Sequence, residues 1–216
     1  MRAHLAFALV CASAAPAIAD DVFSATKVSR VEDVVWALTA TCANHGDDTQ
    51  QRQCKQLRDA RQKELAGQTM LVEGDATAFT VGAFDAAKKS APVSLSACVY
   101  CSPITVEGKS YMVFGGAPRL VDGTVKPPML HETSQTFENA AAHTAFKTKV
   151  AAARVDLVVK VPDGSVKKQW SATGKSGLSF DIVGYRVVVP CSGEVVVAKP
   201  ASMPVEPDKK ACTVSK

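Results

Sequence analysis

The sequence predicts an α+β protein: an N-terminal helical hairpin followed by a mainly antiparallel β sandwich or small barrel with one inserted helix. Three observations carry that prediction. Apolar residues recur at helical spacing over residues 29–66, short β-branched runs take over from residue 69, and those runs are joined by hairpin signals without a regular strand–helix alternation.

The chain opens "MRAHLAFALVCASAAPAIADD". Arg2 supplies a positive end, residues 5–15 an apolar run, and Ala17-Ile18-Ala19 the small-x-small pattern that a signal peptidase reads. The run is shorter than the about 20 apolar residues needed to span a bilayer as a helix. Residues 1–19 therefore read as a secretory signal peptide, with the mature chain starting near Asp20 and residing in a periplasm or outside the cell. A competing reading lipidates Cys11, because "ALVC" loosely resembles a lipoprotein box. Val10 is bulky where that processing wants a small side chain, and the apolar run continues past Cys11.

Lys and Arg number 25 against 21 Asp and Glu, a net charge of +4, which falls well short of a nucleic-acid footprint. Aromatic residues make up only 6%, so no stacking platform for bases or sugars is indicated. The sequence leaves the partner unknown, with a protein or a surface open to it; no nucleic acid and no transmembrane segment are expected. Of seven cysteines, Cys11 leaves with the signal, and Cys42, Cys54, Cys98, Cys101, Cys191 and Cys212 remain as disulfide candidates. An even set in an oxidising compartment points to a covalent framework.

Over residues 29–66, Ser29 with Glu32 forms a capping box, and Val31, Val34, Val35, Leu38 and Cys42 then share one helix face, with Cys42 at its end. "NHGDDT" interrupts, and Asp48 or Thr49 caps a second helix on which Cys54, Leu57, Arg61 and Leu65 share a side. An antiparallel hairpin brings Cys42 to Cys54. Arg52, Lys55, Arg58, Arg61 and Lys63 spread around the second helix without forming a stripe, which suits a solvated face better than a polyanion site.

From residue 69 to 126 the chain reads as strands. Gly108 sits in a hairpin signal, Asp122-Gly123 suits a tight turn with positive φ, and Gly82 marks a bulge or a close approach. The inserted helix is expected near 133–150, capped by Thr133 or Ser134 and dense in alanine. Beyond it, "ARVDLVVKV" places Val155, Leu157, Val159 and Val161 on one face and Arg154, Asp156 and Lys160 on the other, with Val158 the exception. "GLSFDIVGY" alternates, and "YRVVVPCSGEVVVAKP" forms a hairpin turning at Cys191–Glu194. Pro200, Pro204 and Pro207 extend the tail, which Cys212 ties back, most simply to Cys191.

The one local pattern with chemical potential is "SACVYCSP". A catalytic dithiol needs a thiolate at a helix N-terminus, whereas here Ser102-Pro103 leads into a hairpin. Zinc would want two more ligands at matching spacing, and covalent haem would want histidine where Ser102 stands. His131-Glu132 lacks the second histidine of a zinc-protease motif, since position 135 is Gln135, and His45 and His143 have no partner at a metal-binding spacing. His45 beside Asp47 and Asp48 offers a cation little more than a helix-hairpin turn does. Trp36 lies off the apolar stripe and is expected to dock the hairpin onto the β body instead of stacking on a ligand.

The sequence thus describes a signal peptide (1–19), a helical hairpin (20–67), a β-rich domain (68–200) and a proline-containing tail (201–216). Its leading functional reading is an exported, disulfide-stabilised binding or structural module, with no catalytic residue, cofactor or metal ligand assigned. The alternative is a thiol–disulfide oxidoreductase using Cys98 and Cys101.

Overall fold

Val31, Val34, Val35 and Leu38 recur every three to four residues, and in the computed structural model this stripe builds α1 (Val31–Thr39), with all four buried. The structure describes residues 22–24, 30–163, 169–201 and 205–214. The expected signal segment and the Ser29 cap lie outside them. Arg30 occupies the N-cap position in extended backbone, and its side chain, which has no acceptor, makes no capping hydrogen bond.

Helix α2 (Asp48–Leu65) begins one residue earlier than the sequence suggested. Asp47, not Asp48 or Thr49, is its N-cap, accepting from the Thr49 and Gln50 amides while the Gln50 side chain accepts from the Asp47 amide. Its inward face also differs from the expected one. Leu57 is 65% exposed, whereas Cys54 and Leu65 are buried, with Arg58 and Gln62 between them. Arg58 Nη1 donates to the Ala40 carbonyl (3.2 Å) and Gln62 Nε2 to that of Ala37 (2.7 Å). These donors satisfy carbonyls that the C-terminus of α1 leaves without intrahelical partners, which is why polar residues hold the contact face.

The strands form a curled half-barrel, consistent with the expected α+β class. Its path runs through β1 (Thr69–Gly74), β9 (Arg154–Lys160), β11 (Lys175–Val189), β5 (Lys109–Gly115) and β4 (Cys98–Val106) in that spatial order. Two further strands, β10 (Gln169–Ala172) and β12 (Glu194–Lys199), also pair with β11. The two runs read separately as "GLSFDIVGY" and "YRVVVP" are a single 15-residue strand. Its first part pairs parallel to β5, and its second part, from Asp181 on, pairs antiparallel to β9 across a bulge between Ile182 and Gly184. Most other pairings are antiparallel. A smaller sheet, β2 (Phe79–Val81), β3 (Ser90–Ser96) and β8 (Met129–Thr136), lies beside it, and β6 (Arg119–Val121) with β7 (Thr124–Lys126) makes a two-stranded ribbon turning at Asp122-Gly123.

The inserted helix is shorter than expected. Thr133, Ser134 and Thr136 lie in β8, paired to β3, and α3 (Ala140–Val150) starts after Asn139, whose side chain accepts from the Ala142 amide. The β-branched threonines fit a pleated pairing, and Asn139 supplies the cap that Thr133 and Ser134 were expected to supply.

The outward face assigned to β9 is covered at its centre, while Lys160 stays exposed and Arg154 partly so. Asp156 is buried and accepts from Arg154 Nε (2.7 Å) and Arg186 Nε (2.8 Å), and the Arg186 guanidinium lies 4.5 Å above the Phe23 ring. Strand β11 and the N-terminal turn at Val22–Ser24 close over a face that the alternation of β9 alone reads as solvated.

Candidate functional site

Strands β1 and β4 stand at the two ends of the curled path and approach each other without pairing. A methyl group on Gly74 would stand 3.0 Å from the Leu157 side chain and 3.2 Å from the Cys98 carbonyl oxygen, so any larger residue would need these neighbours to give by a few tenths of an ångström. Into this seam β4 brings the CxxC. Ala97 anchors its start: its amide donates to Pro128 O and its carbonyl accepts from the Gly115 amide, both at 2.7 Å. Beyond Cys98 the pairing with β5 slips twice, between Cys98 and Tyr100 and between Tyr100 and Ile104. Pro103 has no amide hydrogen for the ladder, and the chain bulges there. Cys98 and Cys101 are bonded to each other across the bulge, Cys98 fully buried and Cys101 half-buried.

Three concavities meet at this bulge. A groove of about 730 Å³ separates α1 from β4 and is lined by Trp36, Tyr100, Ile104, Glu32, Asp33 and Glu107, among others. The seam itself holds about 310 Å³ between Glu73–Asp75 and Val99–Ser102. The third, about 530 Å³, runs between the two sheets beneath the β6–β7 ribbon. Met112, Phe114, Val125 and Met129 supply its apolar lining, while Arg119 and Lys126 stand along it. Tyr100 borders the groove and the seam, and Cys101 borders the seam and the inter-sheet cleft.

Arg119 and Lys126 are register partners in the ribbon. Like charges directly opposite destabilise a strand pair, so their juxtaposition is a local cost that an anion between them would offset. The same ribbon exposes Leu120 (62%) and Val121 (42%).

Two sets of groups among the described residues lie close enough to share an ion: Cys42, Cys54 and Glu107, and Asp75, Cys98 and Cys101, each set within 4.8 Å. In both, the sulfurs are already joined as disulfides and offer no thiolate. Cys42 bonds to Cys54, but it does not end α1: it lies past Thr39 with φ +59°. Glu107 holds it there. The Thr41 hydroxyl (2.6 Å), the Thr41 amide (2.9 Å) and the Cys42 amide (2.7 Å) all donate to that carboxylate. Burial pushes the Glu107 carboxyl up, but the Thr41 and Cys42 hydrogen bonds, with His45 nearby, outweigh it and hold the group below the usual carboxylate value. The third bond joins Cys191 to Cys212, both exposed.

The structure disperses the histidines. His45 Nε2 lies 3.6 Å from Glu107, while the neighbouring Asp47 caps α2. His131 sits in β8 opposite Leu95. His143 is buried, stacked on Phe84 and edge-on to Phe137, with Nε2 3.0 Å from the Gly82 carbonyl. Trp36 packs against the core and also lines the groove.

Arg119, Lys126, Phe114 and Asp75 escaped the sequence reading. "RLVDGTVK" did carry a signal for the first two, because a two-residue Asp-Gly turn sets Arg119 opposite Lys126. Asp75 had none. Comparison with protein-family models, with curated proteins and with solved structures returns no match.

Proposed function

We propose that this chain is an exported, disulfide-braced binding module whose inter-sheet cleft takes a small amphiphile with an anionic head. The carrying observation is the Arg119–Lys126 pair standing opposite each other beside an apolar cleft of about 530 Å³. Small-molecule sites are concave and mostly apolar, with a few convergent polar groups that orient the ligand. Here Met112, Phe114, Val125 and Met129 take the apolar body, and the two cations take the head. Three disulfides suit the oxidising compartment that the leader sequence implies, and among the described residues no helix is long and apolar enough to cross a membrane.

Titration calorimetry with dodecanoate, dodecyltrimethylammonium and dodecyl maltoside, each below its micelle concentration, tests the reading. Dodecanoate should bind, and the cationic analogue should not. Replacing both cations, Arg119→Gln with Lys126→Gln, should weaken dodecanoate by about tenfold, equivalent to roughly 1.4 kcal/mol. Equal binding of all three amphiphiles, or of none, would remove the anionic-amphiphile assignment.

A further inference from the structure

The Cys98–Cys101 bond sits in an environment unlike that of the other two disulfides. Cys101 is the half-buried partner, on the wall of a seam pocket of about 310 Å³, and Cys98 behind it is fully buried. A carboxylate oxygen of Asp75 and both sulfurs lie within 4.8 Å of one another. Asp75 is fixed in place: its Oδ1 accepts from the Thr77 amide (2.9 Å) and the Thr77 hydroxyl (2.6 Å). An attackable sulfur, a shielded partner sulfur and an anchored proton acceptor are the parts that reversible thiol exchange requires.

We propose that Cys98–Cys101 is a thiol-capture site, at which an incoming thiol is held covalently on Cys101 and released by Cys98, with Asp75 as the proton acceptor for release. In capture, a thiolate entering the seam attacks Cys101 Sγ. A new sulfur–sulfur bond forms there, the Cys98–Cys101 bond breaks, and its electron pair leaves on Cys98 Sγ, which takes a proton relayed from water by Asp75. The incoming thiol is thereby oxidised to the mixed-disulfide level while Cys98 is reduced to a thiol. In release, Asp75 takes the proton from the Cys98 thiol and passes it to water, Cys98 Sγ attacks Cys101 Sγ, and the guest departs as thiolate. The cycle returns the starting disulfide and requires no oxidant beyond the bond itself. It is stoichiometric capture, and it stands or falls apart from the amphiphile reading, because it uses the seam and needs neither Arg119 nor Lys126.

The test uses the full chain with reduced glutathione as the probe. The exposed Cys191–Cys212 bond also meets solvent, so a Cys191→Ser, Cys212→Ser background is run beside the wild type. After acid quench and alkylation, peptide mapping should place glutathione on Cys101 and leave Cys98 alkylated. In Asp75→Asn, which keeps an oxygen to accept from Thr77, capture and release should both slow by about tenfold, because release is capture run backwards and a proton relay scales both directions alike. The share of chain carrying the Cys101 adduct at equilibrium should change by less than about twofold. A merely structural Asp75 would shift that share and change the two rates by different factors. A cysteine-containing peptide run in parallel separates a free thiol from a protein-borne one as the guest, and capture of either on Cys101 supports the site. Glutathione on Cys98, an even partition between the two sulfurs, or no adduct at this bond in wild type would overturn the proposal.

Discussion

Cys42–Cys54 and Cys98–Cys101 each have a carboxylate close to their sulfurs, yet the two surroundings differ. At the first, Glu107 spends its oxygens on Thr41 and on the Cys42 amide, and both sulfurs are buried beneath the turn between α1 and α2. At the second, Asp75 braces a short turn through Thr77, while Cys101 faces two concavities. The same three groups therefore make a sealed staple in one place and an approachable bond in the other. What separates them is where the hydrogen bonds are directed and which sulfur reaches solvent. Residue types alone do not decide it.

Four measurements would break or sharpen that contrast. Replacing Cys42 and Cys54 by Ala should have the largest effect on stability. Their bond spans a sequence separation of 12. The loop-closure model assigns such a loop roughly 3 kcal/mol, read as a fall in urea unfolding free energy. Opening the Cys98–Cys101 bond, at a separation of 3, with Cys98→Ser and Cys101→Ser should cost less. The same model gives about 2 kcal/mol. A larger loss here than at Cys42–Cys54 would mean that the bulge braces the half-barrel more than the hairpin staple braces α1 and α2.

Third, Glu107→Ala removes the acceptor for the Thr41 and Cys42 donors. It should destabilise the chain by about 1–3 kcal/mol and make Cys42 and Cys54 more accessible to reductant, as judged by alkylation. No change in accessibility would mean that the seal comes from packing alone. The smallest effect is in pH dependence. The folded Glu107 carboxyl lies below its unfolded value, so its contribution is present above about pH 4.3 and is lost as pH falls through the folded value. The stability gap between wild type and Glu107→Gln should therefore narrow between pH 5 and about pH 3. A gap that stays constant across that range would show that the carboxylate's charge is not what holds the turn.

Local spacing made α1 and the Asp122-Gly123 turn legible, because each depends on residues within a few positions of one another. The contact face of α2 was not legible. Leu57 fits the apolar pattern, but Arg58 and Gln62 are drawn inward by unsatisfied carbonyls on another helix. The start of α3 was misread for a similar reason, since Thr133 to Thr136 pair with β3 across a long stretch of chain. Asp156 looked solvated because the groups that cover and neutralise it, Phe23 and Arg186, come from distant segments.

By itself the sequence determined the order of helices and strands, the tight turns and a cysteine set suited to an oxidising compartment. Those depend on side-chain periodicity, on backbone sterics at Asp-Gly and on thiol chemistry, all of which act over short range. Only the tertiary structure decided which carboxylate stands beside which sulfurs, and that Cys101 is reachable while Cys98 is not. Asp75 reaches the CxxC because β1 and β4 end opposite sides of one curled sheet. Glu107 reaches Cys42 from the β4–β5 turn. Such encounters follow from strand pairing between distant segments, and spacing along the chain holds no measure of them.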